Sequence, residues 1–272
     1  MITAGIDIGV ENVKVVVLKD EKIVGRGKGR SGGIGRLDAA KAAYERALKE
    51  ANLKADQVEK VFATGKGKFD LEPIADDIIT ETITLAKAAE FLDPGATCAY
   101  NVGADETMVV TLKKDGRIQE FALNEKCAAG IGSFIRRMAR RLEMTQEQMN
   151  ATPPAAAVSP AINDGCVVFG ELDVLALLNK GLSPKEIASA VIFTAVIRAS
   201  TVIKDLTMPK FDKVLLVGGL SQNEAFVNAL KTRLDMEFEI PEEAEYAPAL
   251  GAALLAANWG YYPYIDKPIP IF

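Results

Sequence analysis

The 272-residue sequence contains no histidine and only three cysteines. Without histidine, Ser-His and Cys-His catalytic pairs and imidazole metal sites are excluded, so any metal must be held by thiolate or oxygen ligands. The three cysteines, Cys98, Cys127 and Cys166, cannot form a disulfide framework in a chain of this length. We therefore expect a reducing, cytoplasmic setting.

A basic excess and long apolar runs are also lacking. The formal net charge is -5, which argues against nucleic acid as a partner because binding to phosphates needs a clustered basic surface. No run approaches the roughly 18 apolar residues of a membrane span, so no membrane partner is expected. The local run of Arg136, Arg137, Arg140 and Arg141 fits an acidic protein surface better than a nucleic acid.

What the sequence does contain is an internal repeat. Aligning Gly9 with Gly103 superimposes GIDIGVENVKVVVLKDEKIV on AYNVGADETMVVTLKKDGRI, with an offset of 94 residues. Each copy has the β-branched pattern and the turn residues of a hairpin. The repeat predicts an α/β fold in which two similar lobes face each other.

Helix and strand signals between and after the repeats set the predicted lobe limits. Helices are expected over 38–51, with Asp38 as N-cap, and over 78–91, where Asp93-Pro94-Gly95 ends the helix. The first lobe is therefore predicted to span 1–94, completed by a C-terminal helix within 248–272, and the second lobe 95–247. The basic stretch 25–36 precedes a helix without a clean motif and is predicted to be a mobile surface loop.

The first hairpin has the residues of a phosphate and magnesium site. Gly9 lets backbone N–H groups approach phosphate oxygens, while Asp7 at a strand end can hold the Mg²⁺ shell, and Lys14 is a further candidate nucleotide contact. On this segment alone an ordinary hairpin is the simpler interpretation.

The second hairpin strengthens the nucleotide hypothesis, because two opposed hairpins can clamp a nucleotide in a chain without a G-x-x-x-x-G-K-[ST] loop. Its candidate nucleotide contacts are Asn101, Gly103 and Ala104, and its candidate catalytic carboxylates are Asp105 and Glu106. A third element, LLVGGLSQNEAF, places Gly218 and Gly219 after an apolar strand, where a flat adenosine can lie against backbone. Asn223 is either a ribose contact or a helix start.

These three elements resemble the actin/Hsp70/sugar-kinase superfamily, whose ribonuclease H-like fold has two lobes with a duplicated ββα core. More narrowly, NEKCAAGIGSF (124–134) and GCVVFGELDV (165–174) resemble the BadF/BadG/BcrA/BcrD-type ATPases. That group includes ATPase subunits of benzoyl-CoA reductases and activators of 2-hydroxyacyl-CoA dehydratases. The resemblance covers almost the whole chain.

The resemblance implies that Cys127 and Cys166 supply two ligands to a [4Fe-4S] cluster shared with a second, homologous ATPase subunit, in a heterodimer or a homodimer. It also implies Mg²⁺ with ATP or ADP, ferredoxin as electron donor, and catalytic reductase subunits as acceptors. Judged by spacing alone, a buried structural role is the more common one for both cysteines, and only the resemblance favours the ligand role; the structural role is what we expect for Cys98.

The second hairpin differs from that of the dehydratase activators, and this difference decides the predicted function. Dehydratase activators usually have an acidic D-I-G-G-Q-D hairpin, whereas this chain has Asn101, which can neither act as a base nor bring negative charge to magnesium. The following Gly-Ala-Asp-Glu resembles benzoyl-CoA reductase ATPase subunits, so we predict an ATP-driven electron-transfer subunit of such a reductase. Alternatives are a dehydratase activator, a sugar or acyl kinase, and a non-catalytic nucleotide-binding module. For the segment ATGKGKF (63–69) we predict no role beyond a possible contact with the cleft.

Overall fold

The computed structural model describes residues 1–32, 35–124, 130–155, 161–204, 206 and 211–258. The chain divides into two compact units. Unit 1 comprises Met1–Ala99, Val110–Phe121 and Pro241–Phe272, and unit 2 comprises Tyr100–Val109 and Ala122–Ile240. This division does not test the predicted lobe limits of 1–94 and 95–247, which stay a prediction.

Strands and helices alternate in the described residues in the way that an α/β fold requires. The strands are β1 (Ile2–Ile8), β2 (Asn12–Lys19), β3 (Lys22–Arg30), β4 (Lys60–Thr64), β5 (Asp77–Ile78), β6 (Cys98–Val102), β7 (Thr107–Leu112), β8 (Ile118–Leu123) and β9 (Val214–Val217). The helices are α1 (Arg36–Ala51), α2 (Glu81–Leu92), α3 (Ile131–Arg141), α4 (Gln146–Asn150), α5 (Val167–Asn179), α6 (Pro184–Lys204), α7 (Glu224–Leu234) and α8 (Ala247–Ala257).

The five-stranded sheet of unit 1 has the order β3-β2-β1-β4-β5. β1 and β2 are antiparallel, as are β2 and β3, whereas β4 runs parallel to β1. Alternate residues of these strands point to opposite faces, which separates two apolar layers. Val13, Val15 and Val17 pack with α1 on one face, and Val16 and Leu18 pack with α8 on the other.

The basic stretch 25–30 is part of strand β3, so the surface-loop prediction is wrong there. Its glycines alternate with charged residues, and the glycine side of the strand lies directly against α1. A Cβ on Gly25 or Gly27 would overlap a backbone carbonyl oxygen of α1, at Ala47 and Ala43 respectively. The period-2 spacing of glycine therefore serves helix packing rather than mobility.

Helix α8 packs equally closely on the opposite face of the same sheet. A Cβ on Gly5 of β1 would overlap the Ala249 carbonyl oxygen, and the Thr3 hydroxyl donates to the Ala253 carbonyl oxygen at 2.9 Å. Gly251 on the other side of α8 brings its backbone against α2 at Thr84. Small residues therefore hold α8 between the sheet and α2.

The second sheet has the order β8-β7-β6-β9, so its three hairpin strands repeat the arrangement of β3, β2 and β1. In unit 2 the longest described helix is α6, which has the length and mean hydropathy, 1.6, of a membrane span. Its apolar window is 72% buried within the protein, as in the core helix of a globular fold. The Tyr100 hydroxyl of β6 donates to the Ala199 carbonyl oxygen of α6 at 2.6 Å.

Helix ends mostly follow the sequence signals, with one correction. Asp38 is not the N-cap of α1: the helix begins after Gly35, which has a left-handed conformation, and Asp38 lies in the first turn. The Ser183 hydroxyl accepts from the Glu186 N–H at 3.3 Å at the start of α6, while the Glu186 carboxylate accepts from the Ser183 N–H at 2.9 Å. This pair of bonds is a capping box.

Candidate functional site

The first predicted phosphate-binding hairpin lies at the end of β1 in unit 1. The Asp7 side chain is buried, and strand pairing places Lys14 directly opposite it on β2. Directly opposite residues of an antiparallel pair project to the same face of the sheet. The Gly9 N–H closes the turn by donating to the Asn12 carbonyl oxygen at 3.0 Å. A carboxylate suited to Mg²⁺ and a cation suited to phosphate therefore share one face.

The turn after β4 packs against this hairpin. Gly65 has φ of 91°, and a Cβ there would lie 2.5 Å from Oδ1 of Asp7 and from the Ile8 carbonyl oxygen. The Gly67 N–H donates to the same Ile8 carbonyl oxygen at 3.0 Å. The ATGKGKF segment, to which the sequence assigned only a possible cleft contact, thus forms the wall beside Asp7.

The second hairpin, in unit 2, closes in the same way as the first. The Gly103 N–H donates to the Glu106 carbonyl oxygen at 2.9 Å, which repeats the bond from residue i to residue i+3 seen at Gly9. The 94-residue offset places Asn101 at the position that Asp7 has in the first copy. The internal repeat is therefore confirmed as a repeat of backbone geometry.

The repeat also includes a strand and a glycine that the sequence comparison missed. Gly218 follows β9, has the same φ of 91° as Gly65, and would overlap Oδ1 of Asn101 if it carried a Cβ. Each hairpin therefore has a left-handed glycine from a separate strand pressed against residue 7 or its equivalent, residue 101. The signal was present in the sequence as a glycine directly after each apolar strand, Gly65 after β4 and Gly218 after β9, too little to align.

Helix α3 starts directly on the turn of the second hairpin. The Gly132 N–H donates to the Gly103 carbonyl oxygen at 3.2 Å, and the Ser133 N–H donates to the Ala104 carbonyl oxygen at 2.8 Å. A Cβ on Gly130 would overlap the backbone of Asp105. N–H groups that a helix start leaves without intrahelical partners are thus used to bind the candidate phosphate turn.

The two glycines that follow β9 differ in exposure to solvent. Gly218 is buried, whereas Gly219 is exposed, and a Cβ added to Gly219 would meet no atom within 4 Å. Asn223 is the N-cap of α7: its Oδ1 accepts from the Phe226 N–H at 2.9 Å. Its Nδ2 donates to Asn150 at 2.9 Å, so the helix-start alternative is confirmed, and the ribose contact stays a prediction.

A cavity of about 420 Å³ lies next to this helix start, within the range of small-molecule sites. It lies between α7 and the segment that follows α4, and both of its walls belong to unit 2. Its lining residues are Asn150, Ala151, Pro153, Pro154, Glu224, Ala225, Asn228, Ala229 and Thr232.

The described cysteines differ in environment. Cys98 is buried in β6, and burial raises the pKa of its thiol to about 12, as expected of a structural residue. Cys166 is only partly buried and is the N-cap of α5, with its N–H donating to Asn163 Oδ1 at 2.7 Å. Cys127 lies outside the described residues.

A thiolate at a helix start suits an anionic cluster, because the N–H groups and dipole there favour negative charge. Cys166 therefore fits the role of an iron ligand. Among the described residues no group of three or more Cys, Asp or Glu side chains could hold a metal ion. A cluster ligated by Cys166 would thus need thiolates from outside the described part of the chain.

An ion-pair network that the sequence did not predict joins α3 to α5. The Nε atoms of Arg137 and Arg141 each lie 3.1 Å from Oε1 of Glu171, whose side chain is 10% exposed. Burial raises the pKa of Glu171, but the hydrogen bonds from the two arginines outweigh burial and lower it overall. The helix that starts at Cys166 is therefore tied to the helix that starts on the second hairpin.

Known proteins are similar in sequence to this chain along nearly its full length. The activator of lactoyl-CoA dehydratase from Anaerotignum propionicum is 32% identical over 94% of this chain and 97% of its own. A benzoyl-CoA reductase subunit from Thauera aromatica is 29% identical over 96% of this chain and 93% of its own.

A solved structure, the activator of the 2-hydroxyisocaproyl-CoA dehydratase from Clostridium difficile with bound ADPNP, is 28% identical. It covers 95% of both chains with a TM-score of 0.83. The predicted actin/Hsp70/sugar-kinase-like fold class is confirmed. The family model described as BadF/BadG/BcrA/BcrD ATPase family matches residues 4–256. The chain belongs to the BadF/BadG/BcrA/BcrD ATPase family.

Proposed function

We propose that the chain is an ATP-driven electron-transfer subunit that serves a partner enzyme acting on a CoA thioester. Its family consists of ATPases, and its relatives include dehydratase activators and a benzoyl-CoA reductase subunit. In the proposed cycle a reduced carrier gives up one electron, the electron passes to the partner enzyme, and ATP and water become ADP and phosphate. The proposed setting is the cytoplasm.

The observation that carries this proposal is the contact between the second hairpin and α3. The Gly103 and Ala104 carbonyl oxygens accept from the first N–H groups of α3, at 3.2 and 2.8 Å. A displacement of the hairpin by a phosphate group must therefore displace the helix start. Because α3 begins four residues after Cys127, the contact provides a direct path from nucleotide state to a predicted cluster ligand.

The chain's own residues have separate proposed tasks. In unit 1, Asp7 binds the Mg²⁺ shell and Lys14 binds phosphate oxygens. In unit 2, Asp105 and Glu106 supply the carboxylates that Asn101 lacks. Backbone and amide groups make the remaining nucleotide contacts, and they come from Gly9, Gly103, Ala104, Gly218, Gly219 and Asn223. Since Asn101 cannot accept a proton as a carboxylate does, we propose tight ATP binding and slow hydrolysis.

Cys127 and Cys166 would hold half of a [4Fe-4S] cluster, which supplies one-electron chemistry at low potential when bound. The partly buried position of Cys166 at the start of α5 supports this role. With two thiolates per chain, a second homologous subunit must complete the site. The proposed partners are therefore that subunit, ferredoxin as donor and a catalytic component.

Two versions of the partner enzyme are each favoured by a different observation. The Gly-Ala-Asp-Glu hairpin resembles benzoyl-CoA reductase subunits, which favours a reductase and a pair of unequal ATPase chains. The activator of lactoyl-CoA dehydratase, at 32% identity, favours a dehydratase activator and a homodimer. Purification of the chain alone separates them, because a stable homodimer that holds one cluster supports the activator and contradicts the unequal pair.

The coupling itself is tested by the electron-spin spectrum of the reduced, anaerobically purified protein with and without Mg²⁺ and ATP. We expect nucleotide to change the spectrum in the wild type. We expect Gly130→Ala, which forces the Asp105 backbone away from α3, to retain nucleotide binding but to weaken that spectral change. A spectrum that does not respond to nucleotide in the wild type would contradict the proposal.

A further inference from the structure

An ion pair follows the glycine turn beside Asp7. The turn consists of residues 65–67, and we call it the Asp7 wall because Gly65 lies against the Asp7 carboxylate. Directly after it, Nζ of Lys68 lies 3.0 Å from Oε2 of Glu81, the first residue of α2. Each of the two side chains is only 16% exposed. Because a sheltered pair is screened less by salt than a surface pair, it can hold a turn in one place.

Helix α2 holds the Asp7 wall at both of its ends. Before the wall, Thr64 is the register partner of Asp7 in the parallel pair of β1 and β4, and its hydroxyl lies 3.5 Å from the Thr84 hydroxyl. The Thr84 hydroxyl donates to the Glu81 carbonyl oxygen at 3.0 Å. After the wall, Lys68 donates to the Glu81 carboxylate. One residue, Glu81, is therefore linked to both ends of the turn.

The compensation of the Glu81 charge depends on Lys68. Oε1 of Glu81 is buried and has no hydrogen-bond partner among the described residues, so the carboxylate is compensated by the ion pair at Oε2. Removing one partner of a sheltered pair leaves an uncompensated charge, which costs more than the pair itself contributes. Without Lys68, we expect the carboxylate to rotate toward solvent, which releases the end of the wall.

Movement of the wall changes the surroundings of Asp7, because the two are in close contact. A Cβ on Gly65 would lie 2.5 Å from Oδ1 of Asp7, and a Cβ on Gly67 would overlap Cγ2 of Ile8. The turn therefore packs with bare backbone against Asp7 and its neighbour in β1. Mg²⁺ requires nearly ideal octahedral geometry, so a small change in the orientation of a carboxylate in its shell weakens binding.

We propose that Lys68 and Glu81 are positioning residues for Mg²⁺: their ion pair fixes the Asp7 wall and thereby the orientation of the Asp7 carboxylate. The proposal rests on the proposed function, which assigns the Mg²⁺ shell to Asp7. The pair acts through the wall and not by contact with the nucleotide. It therefore determines how strongly Mg²⁺ increases the affinity for ATP, whereas the affinity for ATP without Mg²⁺ does not depend on it.

The test compares ATP binding over a range of Mg²⁺ concentrations and in EDTA, by calorimetry on the anaerobically purified full-length chain. We expect Mg²⁺ to tighten ATP binding by the wild type. Glu81→Gln and Lys68→Met should each raise the Mg²⁺ concentration needed for half of this effect by about tenfold or more, as substitutions behind a metal ligand do. Both should leave the affinity in EDTA unchanged. Glu81→Gln keeps the size of the side chain, so it carries the comparison if Lys68→Met does not fold.

Two rescue variants separate positioning from a direct contact between Lys68 and phosphate. Lys68→Arg retains the pair with Glu81 and should behave as the wild type. The exchanged pair, Lys68→Glu with Glu81→Lys, retains an ion pair at the end of the wall and should recover most of the Mg²⁺ effect. A direct phosphate contact has the opposite consequence, because the exchanged pair would then bind ATP more weakly than the wild type even in EDTA. That result would overturn the proposal.

The matched control is Lys87→Met, which removes a second ion pair of α2. Nζ of Lys87 lies 3.0 Å from Oε2 of Glu90, and Lys87 is about 9 Å along the helix from Glu81. The control should leave the Mg²⁺ dependence unchanged. An equal loss in the control, or an unchanged Mg²⁺ dependence in both Glu81→Gln and Lys68→Met, would overturn the positioning role alone. A wild type that binds ATP no better with Mg²⁺ than in EDTA would contradict the proposed function as well.

Discussion

Replacing Gly218 by alanine perturbs the junction between β9 and the second hairpin. Gly218 has φ of 91°, a conformation that residues with a Cβ rarely adopt. The new Cβ would overlap Oδ1 of Asn101 and lie 2.6 Å from the Val102 carbonyl oxygen. Neither neighbour is the end of a long flexible side chain, so the strand or the hairpin must move.

Two costs determine the size of the effect. The left-handed conformation costs alanine about 1–2 kcal/mol, and forcing an extra methyl group into a packed region costs about 1–3 kcal/mol. The free energy of unfolding should therefore fall by about 2–5 kcal/mol. At about 2–4 °C per kcal/mol for a protein of this size, the melting temperature should fall by roughly 5–15 °C.

The neighbouring Gly219 provides the matched control. An alanine there meets no atom within 4 Å, so its melting temperature should stay within a few degrees of the wild type. If the adenosine lies against this exposed backbone, Gly219→Ala should weaken ATP binding about tenfold, or 1.4 kcal/mol. Calorimetric melting and ATP titration separate the two effects. A Gly218→Ala protein as stable as the wild type would refute the geometric argument.

Three further predictions concern packing, charge and reactivity. Gly27→Ala should lower the melting temperature by several degrees, as measured by calorimetry, because the methyl group overlaps a carbonyl oxygen of α1. The pKa of Glu171 is lowered in the folded protein, so its stabilising pairs with Arg137 and Arg141 are intact above about pH 5. Denaturant unfolding of the wild type and Glu171→Gln should therefore differ at neutral pH, and the difference should shrink as the pH falls below the ordinary glutamate range and through the lowered pKa of Glu171. The thiol of Cys98, with its pKa near 12, should resist iodoacetamide at pH 8 in the native protein and react after denaturation, as peptide mass spectrometry can show.

Much of the fold was predictable because the sequence contains the same hairpin pattern twice. The hairpin pattern recurs with a constant offset, and the positions of Gly9 and Gly103 coincide in their hydrogen bonds. Apolar periodicity also located α1 and α2 to within a few residues. These features depend on local sequence, which a single chain displays directly.

The errors share a physical cause: they concern residues whose role depends on a distant neighbour. The Gly-Arg-Gly-Lys-Gly run indicates a loop by composition, but α1 packs on it because alternate glycines leave room for helix backbone. Likewise, Asp38 has the chemistry of an N-cap, yet the chain turns into α1 at Gly35. Only tertiary packing distinguishes such cases.

The candidate site was predictable in its residues but not in its connections. Asp7, Asn101 and Gly218 could be selected from the glycine motifs, but not the bonds from α3 to the hairpin carbonyl oxygens. Nor did the sequence indicate that Glu171 would join α3 to α5, because the partners are 30 and 34 residues apart and belong to no motif.

The central claim, that this ATPase carries half of an iron–sulfur cluster, is tested most directly by iron and sulfide content after anaerobic purification. The wild type should contain about two irons per chain, half of a four-iron cluster. Cys166→Ala and Cys127→Ala should each lose that iron, while Cys98→Ala, which removes a buried thiol, should keep it. Iron content unchanged by Cys166→Ala and Cys127→Ala would contradict the claim.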